Sequence, residues 1–84
     1  MDEKTLRALV DAGAVKQVRI VADGARFHVE ADTQTGFVVA STLKGAVKSW
    51  VTLDAAAKWV RSLGVGAAHL EIGKWQPGQH RLSI

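Results

Sequence analysis

Residues 15–51, VKQVRIVADGARFHVEADTQTGFVVASTLKGAVKSWV, decide how this chain folds. In 15–22 the apolar Val18, Ile20 and Ala22 alternate with Gln17, Arg19 and Val21. In 26–32, Phe27, Val29 and Ala31 alternate with Arg26, His28, Glu30 and Asp32. Successive side chains leave a strand on opposite sides, so this period of two predicts half-buried antiparallel strands with one wet face. Asp23-Gly24 between them is a two-residue hairpin signal. Thr35-Gly36 leads into 37–43 (FVVASTL), rich in β-branched and aromatic residues, and Lys44-Gly45 leads into 46–51 (AVKSWV). Three tight turns between short strands predict an antiparallel β-meander of about four strands.

On either side of this stretch the period becomes helical. Leu6, Leu9 and Val10 within 3–12 have helical spacing, Asp2 and Glu3 lie at the positive end of the helix dipole, and Gly13 can end the turn. In 53–63, Ala56, Trp59, Val60 and Leu63 form one apolar stripe, which Thr52 can cap and Asp54 favours. Gly64 followed by Val65 reads as its stop. Residues 67–72 (AAHLEI) alternate again and predict a closing strand, and 73–84, with Pro77, predict a loop or loosely held tail. The expected fold is α+β: an N-terminal helix, the meander, one amphipathic helix packed on the sheet and a last strand. One sheet face lies under the helices, and the other is open or covered by a second copy.

With 84 residues the chain is one small domain, 1–84, burying about 60% of the surface its unfolded form exposes. There are no cysteines, which excludes a disulfide scaffold, a thiolate metal site and a cysteine nucleophile. Charged residues interrupt the first dozen positions, so no secretory leader is expected, and no uncharged run reaches the length of a membrane span. A soluble cytoplasmic protein is expected. The net charge of +3 is uneven: residues 1–42 carry −1 and residues 43–84 carry +4. Such a surplus favours a polyanionic partner.

Catalysis finds no support in the residue pattern. His28 and His69 take polar strand positions, His80 lies in the tail, and none has metal or triad spacing. The glycines are too dispersed for a phosphate loop. No enzyme activity, metal or cofactor is expected. A helix-turn-helix fails as well, because Ala57 lies seven residues before Gly64 and the following segment alternates with period two. A sheet that reads DNA with alternate side chains fits better. Gln17, Arg19, Arg26, Lys44 and Lys48 are its expected DNA-binding residues. An ordinary solvated face, with its cations paired to Glu30 and Asp32, is the competing expectation. Trp59 belongs to the core stripe. Trp50 shares parity with Lys48 and is expected at the core edge rather than as a stacking platform, whereas Trp75 either pins the tail or serves an oligomer contact.

Two stretches carry a family resemblance: KTLRALVDAGAVKQVRIVADGARFHVEA at 4–31 and TLKGAVKSWVTLDAAAKWVRSLGVGAAHLEIGKWQPGQ at 42–79. Together they resemble the ParC-type partition-associated proteins of bacterial conjugative plasmids and integrative elements. The resemblance implies a bacterial cytoplasmic accessory protein encoded beside a ParA-type ATPase and a ParB-type DNA-binding protein, and it assigns no functional residue. Strands ending in KSW before TLDAAAKWVRSLG also resemble the arm-binding domains of phage-type integrases, which read DNA with a sheet. The expected function is that of a non-enzymatic accessory of plasmid or mobile-element partition, binding DNA through a basic sheet face. The alternative is a protein–protein interaction module without DNA affinity, in which Val21 and Val38 on the open face pack against a partition protein or a second copy as a homodimer.

Overall fold

The computed structural model describes residues 1–76. The chain forms helix α1 (Glu3–Asp11), strands β1 (Gln17–Gly24), β2 (Arg26–Thr33), β3 (Gly36–Val39) and β4 (Ser49–Trp50), helix α2 (Leu53–Ser62) and strand β5 (His69–Trp75). This is the α+β architecture expected, with the helices on one face of a five-stranded sheet.

Both helices start on a side-chain cap. Asp2 accepts from the Thr5 N–H at 2.9 Å, and Thr52 accepts from the Ala55 N–H at 3.2 Å. Gly13 and Gly64, at φ 72° and 96°, end them in a conformation that a Cβ disfavours.

The strands divide their side chains as the alternation requires. Val18, Ile20 and Ala22 of β1 and Phe27, Val29 and Ala31 of β2 are buried, and every residue between them is exposed or half-buried. Leu6 of α1, Ala40 just after β3, Ala56 and Val60 of α2, and Leu63 just beyond it complete the core on that side. Each large apolar side chain so buried contributes about 1.5–3 kcal/mol of transfer free energy. The central hairpin pairs Asp23 with Arg26 and Arg19 with Glu30. Its turn is therefore Gly24-Ala25, with Gly24 at φ 66°, one residue later than Asp23-Gly24.

Three details depart from the meander. First, β3 ends at Val39. The Ala40 N–H still donates to Val29 O on β2, but Ser41 pairs with Val47 instead, so the chain leaves the β2 edge there. Residues 41–47 form a short arm closed by a Ser41–Val47 bridge, turning at Gly45 with φ 91°. The Lys48 N–H then donates to Ala40 O, and β4 resumes the β2 edge, pairing Phe27 with Trp50 and His28 with Ser49. The strands expected at 37–43 and 46–51 are thus shortened to two pieces lying end to end along β2.

Second, Val38 pairs with Ala31 and packs on the core side, so it is Phe37 and Val39, opposite Asp32 and Glu30, that lie on the open face. Third, β5 runs parallel to β1 and continues through Trp75, beyond the loop expected from Gly73. Both β1 and β4 are antiparallel to β2, so β4 and β5 share a direction and α2 is the crossover that joins them, as parallel strands require. Lys74 pairs with Asp23 while Glu71 pairs with Val21, which leaves one extra residue in β5, a bulge at Ile72-Gly73. The strand order is β3-β2-β1-β5, with β4 beside β3 on β2. The rest of the expected tail, His80 included, lies outside the described residues.

Candidate interaction surface

The helix-free face is built from alternate residues of four strands. β1 contributes Gln17, Arg19, Val21 and Asp23; β2 contributes Arg26, His28, Glu30 and Asp32; β3 contributes Phe37 and Val39; β5 contributes His69, Glu71 and Lys74. Three cations (Arg19, Arg26, Lys74) share it with four carboxylates (Asp23, Glu30, Asp32, Glu71), so this face carries no basic surplus.

Arg19 is the hub. Its Nη1 donates to Asp32 Oδ1 at 2.5 Å and its Nη2 to Glu30 Oε1 at 2.8 Å. Its Nε lies 4.0 Å from Glu71 Oε2, and its guanidinium sits 5.7 Å from the Phe37 ring centroid. The rigid fork of a guanidinium suits it to hold two carboxylates at once. With 15% of its side chain exposed, Arg19 is engaged rather than displayed. The bonds to Asp32 and then Glu30 raise its pKa further above an already high value. Burial pushes the Glu30 carboxyl up, but the bonds from Arg19 and His28 outweigh it and leave the pKa below its ordinary value. His28 Nε2 lies 2.9 Å from Glu30 Oε2, and Arg26 Nε donates to Ser49 Oγ at 2.9 Å.

The five residues expected to contact DNA do not form one surface. Gln17, Arg19 and Arg26 stand on the open face. Lys44 lies in the turn of the arm. Lys48 has the parity of Trp50, opposite the buried Phe27, and so belongs to the helix side. Its Nζ sits 5.6 Å from the Trp50 ring and 5.9 Å from the Trp59 ring. The two indoles pack at 5.0 Å between centroids, tilted by 45°. The Trp59 Nε1–H donates to Glu3 Oε1 at 3.0 Å, and Arg7 holds the other oxygen of that carboxylate at 2.9 Å. Trp50 is therefore a core-edge residue, as its parity suggested. Trp75 meets Phe27 at 6.0 Å and pins the end of β5 to the core.

Phe37, Val39, Glu71 and Lys74 are open-face residues that the sequence pattern did not single out. A count of parity back from the Thr35-Gly36 turn would have found Phe37. Nothing local to β5 announces that its neighbour is β1. Among the described residues, no group of three His, Asp or Glu side chains is arranged to hold a metal ion, and no helix is long and apolar enough to cross a membrane. No family model matches the chain, and no curated protein or solved structure matches it either.

Proposed function

We propose that this chain is a non-enzymatic, cytoplasmic interaction module that binds protein through the open face of its sheet. In the setting implied by its ParC-type resemblance, it would be an accessory to partition of a plasmid or integrative element. One observation carries the reading: the central cation of the open face is consumed by Glu30 and Asp32, with Phe37 exposed beside it. A face for phosphate would keep its cations free for the polyanion. A face whose central cation is fixed and paired, with Phe37, Val21 and Val39 around it, suits an interface with an apolar centre and a polar rim.

DNA contact is a second reading, moved off the sheet. It is favoured by Lys44 and Lys48, at the turn and base of the arm. Neither has a carboxylate within ion-pair distance among the described residues.

The test measures binding of the purified chain to the ParA-type and ParB-type proteins that the resemblance implies beside it, and separately to duplex DNA at low and moderate salt. The expected result is salt-tolerant binding to one of these proteins, weakened about tenfold or more by Phe37→Ala and by Val21→Glu. Salt-sensitive DNA binding abolished by Lys44→Glu and Lys48→Glu supports the arm reading. Protein binding indifferent to open-face substitutions overturns the main proposal.

A further inference from the structure

Strand β5 is the most exposed element of the sheet: all seven of its residues are solvent-exposed. One of its edges pairs with β1, and the other pairs with no strand among the described residues. On its helix side Leu70 is 40% and Ile72 51% exposed, next to an apolar groove lined by Leu53, Ala57, Val60, Val65 and Leu70. An edge strand of this kind offers unpaired backbone groups together with an apolar flank.

We infer that β5 pairs antiparallel with β5 of a second copy, joining two sheets into one about a two-fold axis. The charge pattern selects that occupant. The bulge at Ile72-Gly73 places Glu71 and Lys74 on the same face, because they pair with Val21 and Asp23 of β1, two residues apart. In an antiparallel pair centred between residues 72 and 73, Glu71 of each copy falls opposite Lys74 of the other. The same register sets Leu70 opposite Trp75 of the second copy on the helix side, covering apolar surface that one copy leaves wet. A lysine on an edge strand ordinarily blocks strand addition. Here the two-fold turns it into half of a cross-strand ion pair, formed twice. The two-fold brings each copy's surface against itself, as an isologous interface requires, and leaves the open face with Phe37 available to other partners.

Sedimentation velocity of the full chain across the micromolar range tests this. The wild type is expected to be a dimer. Glu71→Lys and Lys74→Glu alone set like charges opposite each other and should each weaken dimerisation about tenfold or more. Equimolar mixing of these two variants should restore a dimer, because both cross-strand pairs become attractive. The double variant should dimerise by itself. Far-ultraviolet circular dichroism checks that each variant keeps its fold. A monomeric wild type overturns the inference. So does a dimer that neither single substitution weakens.

Discussion

At the scale of single residues, the decisive contact is between Arg19 and its two carboxylates across the β1–β2 hairpin. The register sets it. Centring the turn on Gly24-Ala25 instead of Asp23-Gly24 shifts the pairing by two residues. Every side chain keeps its face, but the residue opposite Arg19 becomes Glu30 rather than His28. Parity alone could name the open face, and only the register could say which of its charges meet. The contact has a consequence in acid. The pKa of folded Glu30 lies below the ordinary value of 4.5, so its contribution to stability is complete above that pH and is lost as the pH falls through the depressed value. Glu3, held by Trp59 and Arg7, and Asp2, held by Thr5, act in the same direction. Urea midpoints measured from neutral pH downward should fall once the pH drops below about 4.5. Glu30→Gln should lower the midpoint at neutral pH and make the acid decline shallower. A decline as steep as the wild type's would assign it to other carboxylates.

At the scale of elements, the helices were legible because their signals are local. Asp2 and Thr52 cap within three residues, and the stripe of Ala56, Val60 and Leu63 follows from the helical period. Thr52→Ala removes the bond to the Ala55 N–H and should cost about 1 kcal/mol, read from chemical denaturation. Thr52→Asp should retain most of that stability, which separates loss of the cap from a general effect of substitution. The short strands were less legible. Residues 37–43 have strand propensity throughout, yet the strand stops at Val39 because Ser41 pairs with Val47 in the arm and β4 takes the β2 edge beyond Ala40. β propensity says that a segment suits a pleated surface and does not say where that surface ends.

At the scale of the whole molecule, stability rests on a thin core. Leu6, Leu63 and Val29 are its largest fully buried side chains, and they come from the middle of α1, the C-terminal cap of α2 and the inner strand β2. Leu63→Ala should cost about 2–5 kcal/mol, a large share of what a domain of this size possesses. Thermal melts should show a lowered and broadened transition, and a shift of only a degree or two would mean that the core collapses to fill the space. By itself, the chain's order of residues determined the two helices, the central hairpin with its inward faces and the α+β class. Periodicity, caps and turn glycines act over a few residues and need no distant partner. The tertiary structure alone decided that β5 lies parallel beside β1, that Lys48 joins the tryptophans instead of the open face, and that Arg19 is neutralised. The place of β5 depends on where the chain goes after α2 has crossed the sheet, that of Lys48 on the pairing of β4 with β2, and the neutralisation of Arg19 on the register of the β1–β2 hairpin. None of these is written in local spacing.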